Sequence, residues 1–181
     1  MPVTVTVYAS SSPRTPAKYL AVAAELGAIA AERRWLLVNG AGREGCMGAL
    51  NDACLAAGGT VRGVILRRFA DEGLLHPKLT TAEIAEDMRT RKRLLAEGAD
   101  AYIALPGGPG TWEELWEVAV QRQIGNTRAP VVVVDTDGFY AGFRLQLARA
   151  EADGLLYGPA RDLIRFVATP GEAAAEVPDP H

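Results

Sequence analysis

Pro106-Gly107-Gly108-Pro109-Gly110-Thr111 stands between a short apolar run and an amphipathic one, with Glu113, Glu114 and Glu117 just beyond it. Glycine lets a ligand approach the backbone closely. Free amides at a helix start, with the Thr111 hydroxyl beside them, suit a phosphate. A plain turn would use the same residues differently, with Thr111 as N-cap and Glu114 closing a capping box. Three glycines plus proline exceed what a cap needs, so a phosphate site on Gly107, Gly108, Gly110 and Thr111 is preferred. No lysine follows as it does in a GxxxxGKS/T loop, which argues against ATP hydrolysis. Acidic residues in a first turn ordinarily complement the helix dipole. Beside a phosphate, a carboxylate needs another purpose, such as steadying an oxocarbenium-like centre or handling the water in glycosidic cleavage. Glu114 and Glu117 are three apart and share a face.

Met88-Arg89-Thr90-Arg91-Lys92 lies on the helical stretch upstream. Its default reading is a solvated basic face. An arginine aimed at the carboxyl edge of a sheet would instead bind phosphate or ribose, or orient a carboxylate. Spacing alone does not choose between them. Gly40-Ala41-Gly42-Arg43-Glu44-Gly45 matches GxGxxG formally. A dinucleotide site expects an acidic residue ~20 positions on, and the next strand ends at Leu66-Arg67-Arg68. A mononucleotide is therefore preferred to NAD(P). His76 and His181 are the only histidines, too few and too scattered for a metal cluster, and no metal is expected. Ser10, Ser11 and Ser12 have no histidine near them in sequence and read as ligand donors or plain loop residues. Trp112 and Trp116 read as core or interface residues.

The elements that must position these groups alternate. Strands are expected at Val3–Tyr8, Trp35–Asn39, Thr60–Leu66, Ala101–Leu105 and Pro130–Asp135, each short and apolar. Helices are expected at Ala17–Arg33, Gly45–Ala57, Ala82–Glu97, Thr111–Ile124 and Gly138–Asp153. This pattern implies an α/β fold: a single domain with a doubly wound, Rossmann-like parallel sheet and helices on both faces. Ligands bind such sheets beyond the carboxyl ends of the strands. That selects the loops Ala9–Pro13, Gly40–Gly48 and Pro106–Thr111. Leu66–Thr80 reads as a long connection of the kind that is often functional. The domain is expected over residues 1–169, with 170–181 as a frayed or loosely docked tail.

The chain has 181 residues, a net charge of −3 and 49% hydrophobic residues. That is ordinary globular composition without the basic face a nucleic acid needs. Cys46 and Cys54 would lie ~12 Å apart along one helix, too far for a disulfide, and read as small buried hydrophobes. No signal peptide pattern or membrane-length apolar run is present, so a cytoplasmic protein with no membrane partner is expected.

Together these motifs resemble the Lonely Guy (LOG) family of cytokinin riboside 5′-monophosphate phosphoribohydrolases, many of them labelled lysine decarboxylases. The family's PGGxGTxxE stands here as Pro106, Gly107, Gly108, Gly110, Thr111 and Glu114, and its MxxRK as Met88, Arg91 and Lys92. The resemblance implies that Arg91 and Glu114 form the catalytic pair. It also implies that Gly107–Thr111 holds the 5′-phosphate, and that Ser10, Gly42, Met88, Lys92 and Glu117 serve substrate binding. The implied substrate is a nucleoside 5′-monophosphate, AMP or an N6-substituted AMP. No cofactor is implied, and the implied assembly is a homodimer or higher oligomer whose sites are completed by the neighbouring chain. No lysine-centred cofactor motif supports the decarboxylase label. The chain departs from the family at Ala41, where a run of glycines is usual, and at Cys46, where leucine is common. Three alternatives stand beside this reading. One is a non-enzymatic nucleotide or molybdenum-cofactor carrier on the same scaffold, which would not need both Arg91 and Glu114. The others are a nucleotide hydrolase of salvage or secondary metabolism, and an NADP-binding reductase.

Overall fold

Val5 and Val7 turn to one face of the central strand and Thr6 and Tyr8 to the other, and all four are buried. A strand covered on both sides needs helices on both sides. In the computed structural model, which describes residues 2–179, the elements follow one another as such a sheet requires. They are β1 (Thr4–Tyr8), α1 (Ala17–Glu32), β2 (Leu36–Asn39), α2 (Gly45–Ala56), β3 (Thr60–Leu66), α3 (Arg67–Asp71), β4 (Thr81–Ala85) and α4 (Met88–Ala96). Then come β5 (Ala101–Ala104), α5 (Pro109–Gln123), β6 (Val131–Val134), α6 (Ala141–Ala152), α7 (Ala160–Leu163), β7 (Arg165–Val167) and α8 (Pro170–Ala175). The seven strands are parallel in the order β4-β3-β2-β1-β5-β6-β7. Val5 sits between Leu37 and Ala101 in register. The doubly wound parallel fold expected from the sequence is the one observed.

One core layer packs α1, α2 and α8 on Val5, Val7, Leu37 and Ile103. The other packs α4, α5 and α6 on Tyr8, Val38, Tyr102 and Val133. Cys46 and Cys54 are free and buried in the first layer, and burial pushes each thiol up to about 11. The strand order reverses between β1 and β5, so a crevice opens there at the carboxyl edge, between the loops after those two strands.

Several expectations need correction. The stretch Ala82–Glu97 is a strand, β4, followed by α4, because Asp87 caps a new helix and the residues before it extend the sheet. Leu66–Thr80 is not a bare loop but contains α3. The start of the expected tail is α8, capped by Thr169 and docked through Ala173, Ala174 and Val177, all buried. Pro180 and His181 lie outside the described residues. Thr111 is not an N-cap. Helix α5 starts two residues earlier, with Gly108 at the N-cap and Pro109 at N1, where proline's missing N–H costs nothing. No helix among the described residues is long and apolar enough to cross a membrane.

Helices α1 and α2 cross at Gly27, where a Cβ would collide with the Leu50 carbonyl and stand 3.2 Å from Ala53 Cβ. Gly27→Ala should lower stability by about 1–3 kcal/mol despite alanine's better helix propensity. Gly142→Ala, at a helical position with nothing within 4 Å of the new methyl, should raise it by about 0.4–1 kcal/mol. Urea midpoints that moved the same way in both variants would contradict this packing.

Candidate active site

Helix α4 is short, so its ends decide where its side chains point. Asp87 accepts the Thr90 N–H at 2.8 Å and the Thr90 hydroxyl at 2.8 Å, which starts the helix at Met88. Its last carbonyls are held too. Leu94 O accepts from Arg62 at 3.0 Å, Leu95 O from the buried Thr6 hydroxyl at 2.7 Å and Ala96 O from Tyr102 at 3.0 Å. Strands β3, β1 and β5 thus fasten the groups a helix end leaves open.

Arg91 lies one turn into this helix and is aimed at the carboxyl edge. Its Nε donates to Val64 O at 3.0 Å and its Nη1 to Glu114 Oε1 at 2.9 Å. Gly40, after β2, lets it pass, since a Cβ there would collide with Arg91 Nη2. The Met88 sulfur stands 3.9 Å from Nη1. Of the partners that spacing left open, the one Arg91 meets here is a carboxylate. Arg91 and Glu114 are only 9% and 8% exposed. Burial holds the Glu114 carboxyl above the ordinary glutamate range. The Arg91 guanidinium pulls it back only in part, and Glu113 and Glu117 push it further up.

Lys92 turns the other way and pairs with Glu113 at 2.6 Å and Glu117 at 3.0 Å. It ties α4 to α5. Tyr8, stacked on Tyr102 at 6.3 Å, backs Glu114 across a void of about 10 Å³ shared with Lys92 and Glu117. Trp116 stacks on Phe143 and Trp112 meets it edge-on, so both pack against α6.

The two glycine loops behave differently. In Gly40–Gly45 each glycine answers a neighbour. Gly40 clears Arg91, a Cβ on Gly42 would stand 3.0 Å from Met47 Sδ and 3.2 Å from Ser11 Cβ, and Gly45 has φ +63° against the Ser10 and Ser12 carbonyls. Protein packing therefore accounts for this GxGxxG without a dinucleotide. In the loop before α5 only Gly107 is required, because its Cβ would collide with Thr111. A Cβ on Gly108 or Gly110 would meet nothing within 4 Å, and no side chain caps the helix.

A cavity of about 140 Å³ opens beside Arg91, walled by Ser11, Gly40, Gly42, Met47, Ile65, Phe69 and Leu74. Ser11 is the serine that lines it. Ser10 shapes the loop instead, its hydroxyl accepting from Ser12 N at 3.2 Å and its carbonyl from Met47 N at 3.0 Å. Sequence reasoning passed over Ile65, Phe69 and Leu74, whose apolar character marks core and pocket alike. It also passed over the buried Asn39–Asn51 pair at 2.6 Å, which holds the loop where Ala41 adopts φ +64°. A larger depression of about 560 Å³ between α6, α7 and β7 shares no residue with this site, and its arginines pair with Asp135, Asp162 and Glu176. None of Lys18, Lys78 and Lys92, the chain's lysines, lines the cavity beside Arg91.

The model of a family described as "possible lysine decarboxylase" matches residues 47–177. The cytokinin riboside 5′-monophosphate phosphoribohydrolase of Rhodococcoides fascians is 38% identical over 86% of this chain and 79% of its own length. The protein of the same name from Mycobacterium tuberculosis is 38% identical over 80% of this chain and 76% of its own. This chain belongs to the LOG family. Arabidopsis thaliana LOG7 is 36% identical over 88% of this chain and 74% of its own. The LOG fold is shared more widely. A molybdenum cofactor binding protein of Rippkaea orientalis superposes with a TM-score of 0.73 at 17% identity, covering 97% of this chain and 94% of that one. The molybdenum cofactor carrier of Chlamydomonas reinhardtii gives 0.72 at 22%, covering 98% and 96%.

Removing one partner from a buried ion pair strands the other, at about 3–5 kcal/mol. Arg91→Met and Glu114→Gln should each approach that loss, whereas the double variant should lose less than their sum. Strictly additive losses in urea unfolding would show the pair to be uncoupled.

Proposed function

We propose that this LOG chain hydrolyses the N-glycosidic bond of a purine nucleoside 5′-monophosphate, AMP or an N6-substituted AMP, to free base and ribose 5-phosphate. The observation that carries this is the buried Arg91–Glu114 pair, with the open cavity on its Arg91 side. The names of the relatives support the reaction class. Gly108 and Gly110, which nothing in the protein requires, support a phosphate on the amides at the start of α5, since a side chain there would occupy the anion's place. Anchored at the phosphate, the ribose is held in place, and remote binding energy becomes orientation at the anomeric carbon.

Glu114 faces the positive charge that grows on C1′ as its bond to the base nitrogen breaks. The base leaves with that bond's electron pair and takes up a proton from solvent. Water adds its oxygen to C1′ and gives a proton to Glu114, which returns it to solvent. A carboxylate whose burial raises its proton affinity suits this step. Arg91 holds the carboxylate in place. The chain acts in the cytoplasm as a homodimer, and Val120 on α5 and Ile124 just after it, both about half exposed, support a partner chain there. The carrier scaffold has only a likeness of fold in its favour.

Base release from AMP, N6-isopentenyl-AMP and the matching nucleosides tests the reading. Cleavage confined to the monophosphates is expected, and Glu114→Gln should abolish it. Ligands recovered unchanged from every incubation would transfer the reading to a carrier.

The pH profile follows from the charges. Glu114 works ionised, so the rate should fall as pH drops through its raised pKa, with an acid limb above the ordinary glutamate range. Glu117→Gln removes a charge that raises this pKa and should move the limb to lower pH. Lys92→Met removes the cation that offsets Glu113 and Glu117 and should move it higher. The same shift makes protonation favour the folded state. This group's contribution to stability therefore declines as pH rises through that range. Limbs unmoved in both variants would assign the ionisation elsewhere.

A further inference from the structure

Tyr8, Tyr102 and Tyr140 are buried in the core, and two of the three end on a carbonyl. Tyr102 donates to Ala96 O at 3.0 Å and Tyr140 to Leu105 O at 2.6 Å. Tyr8 is 3% exposed, yet among the described residues nothing hydrogen-bonds to its hydroxyl. Its place is fixed. Tyr8 ends β1 opposite Ala104 in register, gives its carbonyl to Leu105 N at 2.9 Å and stacks flat on Tyr102. The Glu114 carboxylate is also half served. Arg91 takes Oε1, and among the described residues nothing donates to Oε2. Buried polar groups are rarely left without partners. Both residues bound the void of about 10 Å³ behind Glu114, with Leu95 and Val118 on its apolar side and Glu117 on its polar one. Lys92, which also touches it, is taken by Glu113 and Glu117. A void of this size holds about one water, provided that a few polar groups surround it.

We propose that the void is a water site, in which one water accepts the Tyr8 hydroxyl proton and donates to Glu114 Oε2. Glu117 is at hand for the water's second proton. The void shares no residue with the cavity beside Arg91, so a nucleotide held there leaves the water in place. Tyr8 thus acts on the reaction through the carboxylate, as a positioning residue. That role rests on the hydrolase reading, whereas the water site does not. A hydrogen bond to the ionised carboxylate favours that form, against the burial that opposes it. The charges facing Glu114 are Arg91 and Lys92 from α4 and Glu113 and Glu117 from α5. Tyr8 and Tyr102 face it as neutral phenols, since burial raises both. Removing the Tyr8 hydroxyl therefore leaves every charge in place and takes away only the water's anchor.

Two measurements on the full chain test this without turnover. A crystal structure of the unaltered chain should show one water within hydrogen-bond distance of both Tyr8 Oη and Glu114 Oε2. Carbon-13 NMR of glutamate-labelled protein should show the Glu114 carboxyl titrating higher in Tyr8→Phe, by on the order of one pH unit. A third measurement follows the rate. The acid limb of base release from AMP should move with the titration, so that the loss is about tenfold below the limb and shrinks as pH rises. A merely structural defect would lower the rate at every pH. A dry void overturns the proposal, and so does a Glu114 titration that is unmoved or lower in Tyr8→Phe. A titration that moves while the limb stays overturns the positioning role and leaves the water site. If the unaltered chain releases base from no nucleotide, the hydrolase reading fails, and the crystal and NMR measurements still decide the water site. Should Tyr8→Phe not fold, the crystal structure decides alone.

Discussion

Keeping a guanidinium and a carboxylate out of water costs several kcal/mol per ion after relaxation, and much of the structure around Arg91 and Glu114 is arranged to offset that cost. Val64 O takes one guanidinium N–H and Glu114 another, so the cation is desolvated but not unpartnered. The carboxylate is less well served. Its raised proton affinity is the part of the desolvation that Arg91 does not cancel. A well-packed apolar pair would hold α4 to α5 at least as well, so stability alone does not explain the arrangement. The carboxylate is left incompletely compensated at the far end of a pair whose arginine lines the cavity, the kind of perturbed group that marks a candidate site.

The sheet order sets where that chemistry can occur. Because β1 is central, the loops after β1 and β5 flank the crevice, and the loop after β2 closes it on one side. The glycines divide accordingly. Gly40, Gly42 and Gly45 make room for protein, letting Arg91, Met47 and the Ser10–Ser12 backbone approach one another. A Cβ on Gly108 or Gly110 would meet nothing in the protein. Two loops that read alike as sequence thus differ in what their glycines answer: close packing within the protein in one, open space at Gly108 and Gly110 in the other.

Strands β1, β2, β3, β5 and β6 were legible because each is apolar and bounded by turn residues, and their alternation with helices implied the parallel sheet. Strand β4 was not. Thr81–Ala85 pairs on one side only and is mostly exposed, and its alanine and glutamate are helix formers. Asp87, with Thr90 three residues on, was the available sign of a fresh helix start. The docking of α8 was hidden because composition cannot say which alanines meet α1. At the site, the family resemblance implied Arg91 and Glu114 as a pair, whereas spacing alone could not choose a partner for Arg91, because periodicity describes one helix at a time. The wall at Phe69 and Leu74 was illegible for a similar reason, since a pocket is known only by what fails to fill it.

Met88, Arg91 and Lys92 combine two separate mechanical tasks in one short motif. Adjacent helical positions differ by about 100° in direction, so Arg91 and Lys92 cannot serve the same neighbour. Arg91 reaches over the strand ends to Glu114. Lys92 lies along α5 and binds Glu113 and Glu117. The second contact keeps α4 and α5 in the register that the first requires. It also places one positive charge against two acids that would otherwise raise the Glu114 pKa further. The lysine therefore holds α4 against α5 from behind the carboxylate, without lining the cavity beside Arg91. A basic run whose default reading in sequence is a solvated face is thus one buried arginine paired with Glu114 and one lysine bound to Glu113 and Glu117.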